Sequence, residues 1–402
     1  MDLSILLFYL AMCLLLARIG GILATKLRQP SLLGEICAGI VAGPSVAGLI
    51  SSHLIGTRLC IDLQSPAGEW ISSLAEIGAL ILLFLAGLSL ELREIKKYAR
   101  PSLTTAVFGA LWAFLLGFAT IHVLGWSFLT AAFAGGILVA TSVGITVETL
   151  MELGKLHSRS GVTILGAAVI DDIIGIIFLS VLSGIALGTL SVVGVFETLL
   201  LMIIFFVAVI IFGLKIIPKI FSRVSLTYQP EMSLSLALVL IFLISGIAQK
   251  VQIAAITGAF LTGLFIGRTP VSRPLKDIVS TLGYGFLIPL FFFETGLRMD
   301  IWVLGKIGPA VLLFLLAAFV SKIVGCGLGA MVGGLGRKDG LRIGIGMLPR
   351  AEVALIIASI GIKIGAVGPD LFSMTIVTIL VTSLLTPFLL KTVYAKNSNQ
   401  HA

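Results

Sequence analysis

Hydrophobic positions in this chain run together in long blocks, separated by short polar or basic clusters. A bilayer-crossing helix needs roughly 20 apolar residues, and about thirteen blocks approach that length. They are residues 3–24, 32–51, 70–90, 102–124, 127–150, 161–187, 193–217, 232–249, 252–268, 280–297, 303–333, 341–365 and 370–392. The predicted fold class is therefore an all-α polytopic membrane protein, with the longest block, 303–333, strongly tilted. Basic residues concentrate in alternate loops: Lys26 and Arg28; Arg93, Lys96, Lys97 and Arg100; Lys155 and Arg159; Lys219 and Arg223; Arg268, Arg273 and Lys276; Arg337, Lys338 and Arg342. Because cytoplasmic loops carry the Lys/Arg excess, these loops are read as cytoplasmic. The N-terminus is then outside and the C-terminus, with Lys391 and Lys396, inside. The first block lacks a basic leader and a small-residue cleavage site, so it reads as a retained span.

Composition strengthens this picture. The 402 residues are 58% hydrophobic and 11% charged, mean hydropathy is +1.17, and soluble domains carry about 25% charged residues. The net charge of +8 lies in loop clusters, which fits membrane orientation and argues against a nucleic-acid partner. Cys13, Cys37, Cys60 and Cys326 have no ligand spacing, so neither a disulfide framework nor a resident metal or cofactor is expected. The 45 glycines suit close helix packing in lipid. No soluble domain is expected.

The chemistry is where polar groups interrupt the blocks. Asp171 and Asp172 sit side by side near the middle of 162–187. Carboxylates at such depth cost at least ~2.5 to 3.5 kcal/mol each, and intramembrane charges mark ion and proton pathways. Adjacent helical residues point about 100° apart, so one can meet a partner helix while the other faces a water-filled cleft. Burial and a neighbouring like charge both raise a carboxylate's proton affinity, which lets protons and a cation compete. A purely scaffolding ion pair is the alternative. Lys322, mid-block in FVSKIVGCGLGA, needs a counter-ion at that depth, and an aspartate of the pair is the obvious one. Two blocks are broken. One break holds Ala140, Thr141, Ser142, Val143 and Gly144; the other holds Gly344, Gly346, Pro349, Arg350 and Glu352. Backbone freed at a break survives in a membrane only where protein or a cavity surrounds it. The broken blocks lie seven segments apart, an odd offset that makes two antiparallel halves. Residues 1–402 then form one membrane transporter domain, with repeats at 1–187 and 231–402 and a linker helix in 188–230. Arg350 and Glu352 are expected to pair and support the fold, Glu294 to reach the outer interface, and Glu35 and Glu76 to lie where interfacial water solvates them.

These stretches resemble the monovalent cation:proton antiporters, in particular the NapA-like bacterial branch related to NhaA. The resemblance rests on QPSLLGEICAGIVAGP (29–44), LAEIGALILLFLAGL (74–88), ATSVGITVETL (140–150), GAAVIDDIIGI (166–176), GAFLTGLFIG (258–267), Lys322 and GMLPRAEVALI (346–356), and it covers nearly the whole chain. It implies an NhaA-like fold of inverted repeats with two crossing discontinuous helices. It further implies a homodimer in a bacterial inner membrane serving pH homeostasis. Asp172 would carry the transported Na⁺ or H⁺ together with Asp171, Asp171 would pair with Lys322, and Thr141 and Ser142 would flank the ion. Supporting charges would be Glu352, Arg350, Glu148 and Glu294. The chain departs from the family at Ala351, usually glycine; at Glu148, where relatives often have a basic residue; and at Glu294, usually neutral. The implied activity is exchange of Na⁺ or Li⁺ for H⁺ by alternating access with net charge movement. A K⁺/H⁺ antiporter or K⁺ efflux transporter is the alternative. An intramembrane aspartyl protease is remote, because it needs two carboxylates facing each other and adjacent helical residues point apart.

Overall fold

The computed structural model describes residues 3–44, 46–48, 61, 63–188, 192–227, 230–299, 308–350 and 352–395, and among them every regular element is helical. In chain order the helices are α1 (Leu3–Lys26), α2 (Ser31–Ala42), α3 (Pro66–Ser89), α4 (Leu92–Lys97), α5 (Ala99–Val123), α6 (Phe128–Val139), α7 (Gly144–Glu152), α8 (Arg159–Ala186) and α9 (Val192–Lys215). There follow α10 (Ile217–Thr227), α11 (Pro230–Lys250), α12 (Ala255–Ile266), α13 (Ser272–Leu282), a π-helical turn (Gly283–Leu287), α14 (Ile288–Leu297), α15 (Pro309–Val332), α16 (Arg337–Gly346), α17 (Glu352–Lys363) and α18 (Pro369–Ala395).

Ten helices or helix pairs among the described residues are long and apolar enough to cross a membrane, and three shorter apolar helices lie at 31–42, 255–266 and 353–363. They stand one for one where the thirteen segments are expected. Three boundaries differ most, the first being the segment expected over 32–51, whose helix spans Ser31–Ala42 and stops at Gly43. The segment expected over 303–333 is a 24-residue helix, Pro309–Val332, about 36 Å long at 1.5 Å per residue. That length exceeds a ~30 Å core; residues 300–307 lie outside the described residues. The segment expected to begin at 280 begins at Ser272, because α13, the π-turn and α14 run on as one span.

The chain forms two compact units. The first comprises Met1–Ser89, Phe212–Ser245 and Gly258–Gly305. Within it α2 packs on α1 and α14, and α14 on α3. Glycine makes the α2–α14 approach possible: a Cβ on Gly39 would collide with the Phe293 carbonyl oxygen, and one on Gly296 with that of Ile36. Cys13, Ala17, Ile71, Leu290, Phe293 and Leu297 form a buried core beside this contact. A π-turn withdraws carbonyls from the regular ladder, and the guanidinium of Arg18 on α1 donates to the Tyr284 carbonyl within it.

The second unit comprises Leu90–Ile211, Gly246–Thr257 and Lys306–Ala402. Here α5 packs on α15, α6 and α8, while α16 packs on α15, α8 and α18. Ser127 caps α6 by accepting from the Thr130 backbone, and Ser158 caps α8 by accepting from Gly161. Such caps satisfy amide donors that a helix start leaves orphaned. Both interrupted spans belong to this unit: α6 and α7 are parted by 140–143, and α16 and α17 by 347–351.

Candidate ion site

The two breaks are bonded to each other. The Ser142 amide donates to the Pro349 carbonyl at 2.8 Å, and Thr146 Oγ1 donates to the Gly346 carbonyl at 2.6 Å. Each break thus supplies polar partners to the other, as backbone withdrawn from water requires. Gly344 lets α16 settle against α15, since a Cβ there would lie 2.5 Å from the Ile323 carbonyl oxygen. Arg350, wholly buried, bonds backbone: Nη1 donates to the Leu348 carbonyl at 2.7 Å and Nη2 to that of Ala318 at 3.3 Å. The Arg350 carbonyl in turn accepts from Ser383 Oγ at 3.3 Å. The arginine therefore ties the second break to α15 and α18.

Against this crossing lies α8, a 28-residue helix with Asp171 and Asp172 well inside it. Asp171 is 2% exposed and Lys322, on α15, is 0% exposed. Lys322 Nζ donates to Asp171 Oδ2 at 2.9 Å and to the Val139 carbonyl at 2.8 Å. Val139 is the last residue of α6, so its carbonyl is one of those a helix end leaves without an intrahelical donor. One ammonium thus neutralises the carboxylate and completes the end of the broken helix. Thr141 Oγ1 donates to the same Oδ2. The other oxygen, Oδ1, is buried without a hydrogen-bond partner, a position that costs about 1–3 kcal/mol when a polar group stays unsatisfied.

Asp172 points elsewhere, as adjacent helical residues must. It is half-buried, and its Oδ2 accepts from Thr257 Oγ1 at 3.0 Å. The neighbouring carboxylates therefore hold different partners: one has a lysine and a threonine, the other a threonine from α12.

The remaining expected residues fall as follows. Ser142 is buried at the first break and Glu148 is buried on α7. The side chain of Glu352 lies outside the described residues. The guanidinium of Arg350 bonds the two carbonyls named above, and its expected pairing with Glu352 falls outside the described residues. Glu294 does not reach the interface. It is buried in the first unit, where Arg298 Nε, one helical turn on, and Ser72 Oγ donate to its Oε1. Glu35 is buried rather than interfacial, whereas Glu76 lies exposed within α3. Thr257 is not among the expected residues. The only sequence signal for it is a hydroxyl at the opening of an otherwise apolar segment, AAITGAF.

A polytopic helical protein, with a lysine–carboxylate pair buried beside two mutually bonded helix breaks, is a membrane carrier by design. Residues 12–396 match the transmembrane sodium/hydrogen exchanger family, and the chain belongs to that family. Members are secondary transporters that move monovalent cations and protons across a membrane; they are not enzymes. The chain is similar to the Na(+)/H(+)-K(+) antiporter GerN of Bacillus cereus, 34% identical over 96% of this chain and 95% of that one. It is also similar to the high-affinity Na(+)/H(+) antiporter NhaS3 of Synechocystis, 32% identical over 96% of this chain and 89% of that one. Among solved structures, the sodium proton antiporter MjNhaP1 from Methanocaldococcus jannaschii has the same fold. Its TM-score is 0.62 at 16% identity, over 97% of this chain and 96% of that one. The expected NhaA-like architecture and the family are thus established.

Proposed function

We propose that this protein exchanges Na⁺ or Li⁺ for H⁺ by alternating access, with net charge moved in each cycle. The observation that carries the reading is the buried Asp171–Lys322 pair beside Asp172 at the crossing of two broken helices. Asp172 is the carrier: it binds either a proton or the cation, and each expels the other. Asp171 releases Lys322 when the cation arrives and recovers it when the cation leaves. Thr141 and Ser142 present oxygens beside the ion. A ligand shifts a conformational equilibrium only through unequal affinity for the two states, and the lysine's exchange of partners supplies that inequality. Arg350 and Glu148, and with them Glu352, support the crossing; Glu294 supports the first unit.

The same site suits K⁺ as a second cargo, a reading favoured by the K⁺ in the name of the Bacillus cereus relative. The inverted repeats at 1–187 and 231–402, the linker in 188–230, the bacterial inner membrane, the outer N-terminus, the cytoplasmic C-terminus, the homodimer and the role in pH homeostasis belong to this proposal too. The test is reconstitution in proteoliposomes with imposed Na⁺, Li⁺ or K⁺ gradients, reading internal pH with and without a clamped potential. Cation-driven proton movement that responds to potential supports the reading. Proton movement indifferent to all three cations refutes it.

A further inference from the structure

We infer that the basic strip Arg93, Lys96, Lys97 and Arg100 is a docking surface for the headgroups of anionic phospholipids. This inference is independent of the cation and proton chemistry proposed above.

Residues 90–98 join α3 and α5, two helices that are each long and apolar enough to cross a membrane. A connection that short holds α4 at the level where the two spans leave the hydrocarbon. The segment is two-sided. Leu92 and Ile95, three residues apart and so on one face, are half-buried, and α4 packs on α5 and α8. Arg93, Lys96 and Lys97 are exposed, and Arg100 carries the exposed strip into the first turn of α5.

The two acids of this segment are turned to other work. Glu91 and Glu94 form a capping box at the start of α4: the Glu91 carboxylate accepts from the Glu94 amide, and Glu94 Oε2 accepts from the Glu91 amide at 3.1 Å. Glu94 Oε2 also faces His157 Nδ1 at 3.4 Å, which ties α4 to the loop before α8. That loop brings two more exposed cations, Lys155 and Arg159. Among the described residues no carboxylate pairs with Arg93, Lys96, Lys97 or Arg100. Lys97 Nζ lies over the Tyr98 ring, 5.6 Å from its centroid, and a ring face attracts the ammonium without neutralising it. Lys96 and Lys97 lie three and four residues after Arg93, spacings at which like charges on a helix repel each other. An anion beside the strip relieves that repulsion, and a headgroup layer at the depth of α4 supplies one. Basic clusters immediately outside a membrane span attract anionic lipid in this way.

The experiment is native mass spectrometry of the purified full chain in detergent, titrated with dioleoyl phosphatidylglycerol or dioleoyl phosphatidylcholine. Wild type is compared with Arg93→Gln/Lys96→Gln/Lys97→Gln/Arg100→Gln. It is also compared with a control that loses four exposed cations elsewhere, Lys219→Gln/Arg268→Gln/Arg273→Gln/Lys276→Gln. Each cation near an anionic surface contributes roughly a fivefold preference for it. Wild type should bind phosphatidylglycerol more tightly than phosphatidylcholine. The strip variant should bind phosphatidylglycerol on the order of a hundredfold more weakly, with phosphatidylcholine unchanged, and the control should lose far less. Lys96→Gln/Lys97→Gln, with an expected loss of about tenfold, serves if the four-site strip variant does not fold. Equal losses in the strip variant and the control overturn the inference, because net charge alone then decides. Phosphatidylglycerol binding that survives intact in the strip variant overturns it as well. So does displacement of the lipid by inorganic phosphate at an ionic strength where chloride has no effect, which would make the strip a site for a soluble anion.

Discussion

Replacing Lys322 by alanine removes the cation from a wholly buried pair. At the observed 2.9 Å an effective dielectric near 20 puts the attraction at about 6 kcal/mol. Desolvation of both ions offsets much of that, so the pair adds little net stability over an apolar equivalent. Losing one member is another matter, because Asp171 stays buried with its charge and only Thr141 as a donor. Such losses cost about 3–5 kcal/mol. The Val139 carbonyl also loses its donor. At ~2 °C per kcal/mol for a chain longer than about 150 residues, the apparent melting temperature in detergent should fall on the order of 5–10 °C. Asp171→Asn alone should also destabilise, by stranding the ammonium. The double variant Lys322→Ala with Asp171→Asn removes both charges. It should regain at least ~2 kcal/mol relative to the sum of the singles, since groups in direct contact are not additive. Melting followed by tryptophan fluorescence gives all four corners of the cycle. Additive losses, with the double variant the least stable, would refute the reasoning that these two charges stabilise each other.

Two further perturbations probe the crossing. Arg350→Met keeps the length but removes the guanidinium donors to the Leu348 and Ala318 carbonyls, of which Ala318 keeps Ser321 Oγ; a loss of about 1–3 kcal/mol is expected, and an unchanged melting midpoint would contradict it. Gly344→Ala forces a methyl to within 2.5 Å of the Ile323 carbonyl oxygen, so it should cost about 1–3 kcal/mol as overpacking does and slow exchange; wild-type melting and turnover in that variant would show that α16 does not need the close approach.

Much of the frame is legible in the amino-acid sequence itself, and for a physical reason. Hydrocarbon leaves no cheap alternative for a polar group, so Asp171, Asp172 and Lys322 stand out against their apolar neighbours, and Gly, Pro and hydroxyl residues expose the two breaks. What stays hidden depends on three-dimensional direction. Glu294 looks interfacial by its place near the end of a span, yet the chain buries it and supplies Arg298 and Ser72. The guanidinium of Arg350 reaches backward to carbonyls that no side-chain pattern advertises. Thr257 is silent for the same reason: a hydroxyl at a helix start says nothing of which carboxylate it will meet. The π-turn at 283–287, GYGFL, likewise carries no periodicity signal of its own.

The exchange proposed for this protein turns on a proton and a cation competing for Asp172. Adding NaCl to the purified protein in weakly buffered detergent, and reading released protons with a pH dye, tests that competition without a membrane or a gradient. Proton release should saturate with Na⁺, need a higher Na⁺ concentration as the starting pH falls, and disappear in Asp172→Asn. Release of the same size from Asp172→Asn, or Na⁺ binding by the wild type with no proton released, would contradict it.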